Sequence, residues 1–325
     1  LYLSFGVFMA VGINVLSYSP HMAIIPRWFK KKRGLASGLA ASGIGIGTLV
    51  LVPFNELMID TLGWRSGFFV LSGVVLCILV PATAIFHRRS PEDIGLYPDG
   101  LPPKVEGAVQ GLPGKASPAP KAKASWTFGE AFRVRAFWLM VLTVLCDSFV
   151  TNTIIVHQAV YLVDRGYSGM LAASLVGLVG LIGSVGGISC GLFSDHFGSK
   201  TGYTAGGLLA FMGIIVLLLI KDALSPWMPY VFVILYGLGT GAKQPMIATI
   251  TGDLFPGNAL GRILAAQSVG FGIGGALGAY GGGYFFDHAG SYLIPFLLVL
   301  TVLVIAVFSV WTANSPPKAF LHDPP

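Results

Sequence analysis

The sequence predicts an all-helical integral membrane protein, and three observations carry that prediction. The 325 residues are 54% hydrophobic and 10% charged, with a mean hydropathy of +0.77, well outside the range of a water-soluble domain. The apolar residues fall into stretches long enough to cross a hydrocarbon core about 30 Å thick, which takes about 20 residues of helix. Most Lys and Arg then lie in loops on one side, the asymmetry that orients membrane helices.

Nine spans are expected, at 2–29, 34–59, 65–86, 136–163, 170–193, 201–220, 227–252, 262–286 and 291–312, each bounded by charged or turn-forming residues. The chain opens with LYLSFGVFMA, already apolar and without a secretory signal or lipidation motif, and is expected to lack segments that precede it. Between the third and fourth spans, 87–135 contains GLPGKASPAPKAKAS, too poor in apolar residues to pack, and reads as a flexible linker. The expected organisation is therefore a partial N-terminal bundle (1–86), a linker (87–135), a C-terminal six-helix bundle (136–313) and a tail (314–325). Trp28, Trp64 and Trp227 stand at span ends, where an indole anchors at the bilayer interface.

With the linker and C-terminus in the cytoplasm, Arg65, Arg165 and Lys221 are the basic residues of the opposite side, and Lys243 lies within a span. The positive-inside rule supports this orientation, in a plasma or inner membrane. The net charge of +6 is then a consequence of topology. The run KKKR (30–33) is a short basic loop after a span, and no nucleic-acid partner is expected. Cys77, Cys146 and Cys190 sit in apolar segments without ligand spacing, so no disulfide framework, metal site or cofactor is expected. Nor does any nucleophile and base constellation suggest an enzyme.

Shifting the first part of the chain by 227 positions pairs Gly12 with Gly239, Gly34 with Gly261, and Gly43, Gly45 and Gly47 with Gly270, Gly272 and Gly274. The same register pairs Ile46 with Ile273, Asp60 with Asp287, Gly63 with Gly290 and Phe69 with Phe296. Spans one to three thus repeat spans seven to nine, the kind of internal repeat from which transporters are built. The glycine spacing in SGIGIG and VGFGIGGALG suits close helix packing in lipid, and no phosphate site is implied.

GLFSDHFGSK (191–200) resembles the G-x-x-x-D-x-x-G-x-K/R loop of the major facilitator superfamily, matching at Gly191, Asp195, Gly198 and Lys200. PRWFKKKRGLASGLAASGIGIG (26–47) with GWR (63–65) looks like helices four and five of its monocarboxylate-porter branch. YGLGTGAKQP, DLF, LGRILA and FFDHAGSY look like its tenth and eleventh. The resemblance implies two six-helix bundles, of which helices four to twelve are present, and a loop at 191–200 that latches one conformation. Physically, Asp195 can accept hydrogen bonds from neighbouring helix amides, Gly198 permits a tight turn and Lys200 anchors at headgroups. An ordinary capped turn is the alternative. One departure stands out. Porters of this branch commonly carry an arginine four positions before the first glycine of this motif, where this chain has Gly187.

An ionisable side chain at the centre of a span costs about 2.5–3.5 kcal/mol, so it faces a cavity or a partner. Here His21 lies in the first span, Asp147 and His157 in the fourth and Lys243 in the seventh. By the resemblance these are three of the four helices that line the central cavity. Asn14, Tyr18 and His21 share one helical face, as do Tyr236, Gly239 and Lys243, while Asp147, Thr151 and Gln158 form a third stripe with Asn152 and His157 beside it. Counted from the linker side, Asp147 is about eleven residues in and Lys243 about nine, so at about 1.5 Å per residue they share a depth and can meet.

Three readings of Lys243 follow: it binds a carboxylate, it ties two helices through Asp147, or it does both in turn while Asp147 or His157 carries a proton. For His157 and His21 the plainer reading is a histidine bonded to a neighbour or water. Glu56 and Asp60 read as interfacial or loop-capping groups. The expected function is secondary transport of a small organic anion such as a monocarboxylate, with protons, across the lipid bilayer by alternating access. Its expected substrate contacts are Lys243, Asn14, Tyr18, His157, Asn152 and Tyr236, and its proton-coupling groups Asp147, His157 and His21. The alternatives are an exporter of amphipathic or drug-like compounds and a non-transporting membrane sensor.

Overall fold

A computed structural model of the chain describes residues 28, 33–86, 88, 91, 95–96, 126–256 and 259–314, the side chains of 33–42, Phe86, Leu192 and Asp195 excepted. The expected first span, the tail beyond 314 and most of the linker lie outside the described residues. All regular structure among the described residues is helical.

The helices are α1 (Arg33–Leu62), α2 (Trp64–Val74), α3 (Val80–Phe86), α4 (Phe128–Phe132), α5 (Arg135–Asp164), α6 (Gly169–Phe197), α7 (Ser199–Leu219), α8 (Met228–Leu254), α9 (Leu260–Ala289) and α10 (Leu293–Thr312). A π-helical turn, Val75–Leu79, joins α2 to α3. Seven segments are long and apolar enough to cross a membrane: Gly43–Leu62, Trp64–Ile85, Arg135–Asp164, Gly169–Gly191, Ser199–Leu219, Leu260–Ala289 and Leu293–Thr312. The expected span 227–252 forms α8, 27 residues long, but is not among these seven. Its Gly, Thr, Gln, Pro and Lys residues dilute the apolar ones. Among the described residues, the long helix that falls short of a membrane span carries Lys243.

Contacts group the chain into two compact units, Leu1–Gly43 with Leu57–Lys115 and Ile44–Glu56 with Ala116–Pro325. In the first, the Arg65 guanidinium lies 4.3 Å over the Trp64 ring. There the Trp28 indole donates to the Arg88 carbonyl at 3.2 Å. Both indoles hold an apolar body beside a polar tip, the arrangement that suits a span end.

In the second unit the helices approach to backbone contact through glycine. On α9, a Cβ at Gly270 would stand 3.0 Å from the Val141 carbonyl oxygen of α5, and Gly274 and Gly278 press on the Leu145 and Phe149 carbonyls. Spacing of four keeps these glycines on one face. In lipid, where burial of apolar surface drives little, such close packing is what holds helices together. Within the same unit, a Cβ at Gly177 of α6 would stand 2.7 Å from Leu49 Cα of α1, and Gly45 lies against Gly180 and Ser184.

The repeat is visible at the helix ends. α1 and α9 end 227 positions apart, each followed by a glycine with positive φ, Gly63 at 79° and Gly290 at 62°. Only glycine adopts such a turn without strain.

The stretch read as a linker ends in folded structure. Thr127 and Glu130 form a reciprocal capping box on α4. The Trp126 amide donates to the Pro256 carbonyl at 3.1 Å, and its ring meets Phe255 edge-on at 5.4 Å. The aromatic residues of 126–138 give this end of the linker the apolar content that 101–125 lacks.

Candidate functional site

Helix α8 is wedged between α6 and α7. On its α6 face, a Cβ at Gly237 would stand 2.9 Å from the Ile182 side chain, and Gly241 presses on the Gly183 carbonyl. On its α7 face, a Cβ at Gly213 would meet the Tyr236 amide at 2.7 Å, and one at Gly206 would meet Ala242 Cβ at 2.8 Å and Lys243 Cγ at 3.3 Å. The stripe Tyr236, Gly239, Lys243 therefore lies along α7, with the lysine stem resting on Gly206. Pro245, two residues on, has no amide proton for the Gly241 carbonyl, which loosens α8 beside the lysine.

From that face Lys243 Nζ reaches α5 and donates to Asp147 Oδ1, forming the one ion pair among the described residues. Lys243 is 0% exposed and Asp147 3%. The pair sits at a seam between two apolar cores. Met140, Val144, Cys146, Tyr203, Ala242 and Met246 belong to one, and Val150, Ile154, Ala210, Ile214 and Tyr236 to the other. Two opposite charges at this depth satisfy each other; removing one leaves the other buried and uncompensated, typically at about 3–5 kcal/mol.

The structure separates this pair from the other predicted residues on α5. His157 Nε2 is 3.0 Å from the Ala279 carbonyl oxygen of α9, so it carries the proton of that bond, and the ring lies directly on Gly282. Asn152 Nδ2 donates to the Ser148 carbonyl at 3.0 Å and to its hydroxyl at 3.2 Å. Ser148 Oγ in turn donates to the Phe271 carbonyl at 2.6 Å. Ser148, Asn152 and His157 thus face α9, while Asp147 faces α8. Tyr236 is buried, and its hydroxyl has no hydrogen-bond partner among the described residues. Asn14, Tyr18 and His21 lie outside the described residues.

In the loop motif, Gly198 with φ of 85° forms the whole connection between α6 and α7. Lys200 Nζ donates to the Ala313 carbonyl at 2.6 Å, fixing the end of α10. Gly191 has open space around it, and the Asp195 side chain lies outside the described residues. A shallow cavity of about 320 Å³ lies at this turn, lined by Lys200, Ile250, Asp253 and Asn314 among others. Glu56 Oε1 stands 3.0 Å from the place of a Gly169 Cβ, beside the first turn of α6, where a carboxylate complements the helix dipole. No cluster of metal ligands occurs among the described residues.

Two features were not read from the sequence. Gly187, the position where an arginine was looked for, faces α8: a Cβ there would be 3.2 Å from the Gly241 carbonyl oxygen. A long side chain at 187 would force α8 away. Tyr203 of α7 is 0% exposed, and its hydroxyl has no hydrogen-bond partner among the described residues. The spacing of Tyr203, Gly206 and Ala210 was the available signal, since it places the tyrosine on the same face as the glycine beneath Lys243.

The chain matches the family profile of the Major Facilitator Superfamily over residues 1–251 and again over 224–323. It is 26% identical over 303 residues to Monocarboxylate transporter 12 of Xenopus laevis, covering 92% of this chain and 65% of that protein. Against Monocarboxylate transporter 11 of Homo sapiens it is 26% identical over 321 residues, 95% of this chain and 62% of the other. Against Monocarboxylate transporter 12 of Rattus norvegicus the identity is 28% over 315 residues, 92% and 63% of the two chains. The chain spans a little under two thirds of the length of these relatives.

Proposed function

The chain belongs to the major facilitator superfamily, and on that premise we propose that the whole protein is a secondary active transporter of a small organic anion, a monocarboxylate, moved with a proton by alternating access. The observation that carries the reading is the buried Asp147–Lys243 pair, in a chain whose relatives bear the name monocarboxylate transporter.

The coupling follows from charge balance. A proton on Asp147 alone would leave the Lys243 ammonium buried without a partner, and an anion on Lys243 alone would strand the Asp147 carboxylate. Only proton and anion together keep the site neutral, so the two enter and leave as a pair. Lys243 then supplies from α8 the positive charge that other porters of this branch carry on the preceding motif helix, where this chain needs Gly187 for packing. The partial bundle (1–86), linker (87–135), six-helix bundle (136–313) and tail (314–325) are the proposed organisation. The linker and C-terminus face the cytoplasm, following the distribution of Lys and Arg.

A second reading is favoured by the lysine stem lying on Gly206: the pair ties α5, α7 and α8 together and takes no part in transport. The test is uptake of labelled pyruvate and lactate into vesicles carrying the protein expressed from its complete reading frame, with and without an inward proton gradient. Gradient-driven uptake that disappears in Lys243→Ala is the expected result. If no acid moves, the carboxylate reading fails.

A further inference from the structure

The joint between α4 and α5 carries two cations with no counter-charge among the described residues. Arg133 and Val134 join the helices, and Val134, extended at φ −98° and ψ 138°, packs on the core. With that side chain turned inward, Arg133 and Arg135 on either side of it project outward, and both are exposed. Other basic residues at helix ends are already occupied. Arg65 lies over the Trp64 ring, Arg165 over the Tyr161 ring at 4.9 Å, and Lys200 donates to the Ala313 carbonyl. Glu130, the one acidic residue from 126 to 146, is turned back on the Thr127 amide at 2.8 Å. Helix α9 packs on α4, Ala131 and Ile263 sharing one core, and brings the exposed Arg262 to the same end of the bundle.

Beside the arginines the surface is apolar. Trp138 and Leu142 follow Arg135 at i+3 and i+7, one face of α5 running into the span, and are 51% and 38% exposed. Phe132 is 45% exposed and meets the Trp138 ring edge-on at 4.9 Å. The Trp138 indole donates to the Phe132 carbonyl at 3.0 Å. Its polar tip is thereby satisfied and fixes the joint, while the ring stays open on its outer side.

We propose that this joint binds a phospholipid with a net negative headgroup, Arg133 and Arg135 clasping the phosphate and the Trp138–Leu142 stripe taking an acyl chain. A guanidinium meets phosphate oxygens through two parallel hydrogen bonds, and two outward forks flanking one residue hold a single phosphate between them. A choline headgroup sets its own cation against the two arginines, so a zwitterionic lipid is disfavoured. A free phosphate makes no use of the apolar stripe, so the occupant is a lipid. Any basic residue serves to orient a span. The clasp needs the planar guanidinium at these two positions.

The experiment titrates the detergent-solubilised protein, expressed from its complete reading frame, with phosphatidylglycerol or phosphatidylcholine and counts the lipids retained by native mass spectrometry. The parent is expected to prefer phosphatidylglycerol. Arg133→Gln with Arg135→Gln is expected to bind it roughly thirtyfold more weakly, with an unchanged lipid-free thermal midpoint because both side chains are exposed and unpaired. Arg133→Lys with Arg135→Lys keeps the charge without the fork and should fall between. Arg165→Gln removes a guanidinium already held over Tyr161 and should bind as the parent does. Equal binding of the two lipids by the parent, or parent-like binding by the glutamine pair, overturns the proposal. Parent-like binding by the lysine pair overturns the clasp and reduces the site to charge attraction. Inorganic phosphate that displaces phosphatidylglycerol at equal concentration overturns the lipid as occupant.

Discussion

Asp147 and His157 lie on one helix, ten residues and about 15 Å apart along its axis, and both are buried, yet they are held in different ways. Asp147 is bonded to the tip of a flexible side chain whose own helix is loosened at Pro245. His157 is bonded to a backbone carbonyl and pressed on a glycine of a helix that packs at backbone contact. A side-chain partner can be exchanged, whereas a backbone partner within a tight helix crossing cannot. On the proposed reading, exchange belongs to the α5–α8 side of the bundle and rigidity to the α5–α9 side.

The two sides of α5 diverge most when one charge is removed. Lys243→Ala is expected to destabilise the bundle by about 3–5 kcal/mol by stranding Asp147, seen as a large drop in thermal midpoint, and adding Asp147→Ala is expected to recover most of the loss. On the rigid side, Gly282→Ala sets a methyl against the His157 ring and is expected to cost about 1–3 kcal/mol. Combining it with His157→Ala relieves that clash, so a double-mutant cycle should show a favourable coupling of about 1 kcal/mol. His157→Leu alone loses one hydrogen bond, to a carbonyl inside α9 that keeps its helical partner, at about 1 kcal/mol, and the pH profile of uptake is expected to stay where it is. A shift of that profile would place His157 in the exchange machinery.

The smallest effect lies outside both regions. The Glu130 carboxyl is held below the usual carboxylate range, first by the Thr127 backbone amide and then by its hydroxyl. Its folded-state pKa is depressed, so its contribution is present above the unfolded carboxylate range and is lost as pH falls through the folded pKa. Glu130→Gln should therefore lower the thermal midpoint slightly near neutral pH and make no difference in acid.

The Asp147–Lys243 side of this division was legible in the sequence, whereas His157 was grouped there with the substrate and proton residues. Matching depth was enough to bring Asp147 to Lys243, because rise per residue fixes height along a span. The helix boundaries followed from hydropathy and turn residues, and Gly63 and Gly290 were paired by the repeat before either was seen to turn the chain. What spacing cannot give is rotation relative to neighbours. It placed Tyr236, Gly239 and Lys243 on one face but did not reveal that α7 covers that face. The partner of His157 was equally hidden, since a backbone carbonyl leaves no mark on residue identity. Gly187 read as a missing arginine until its distance to Gly241 gave it a packing role.

On the proposed reading, the Asp147–Lys243 pair exchanges partners during transport. This exchange is tested most directly by proton-driven lactate uptake in the doubly neutral variant Asp147→Ala with Lys243→Ala, at a thermal midpoint matched to the parent. The expected result is a folded protein without gradient-driven uptake. Uptake at the parent rate would show that the pair only ties helices together, and would contradict it.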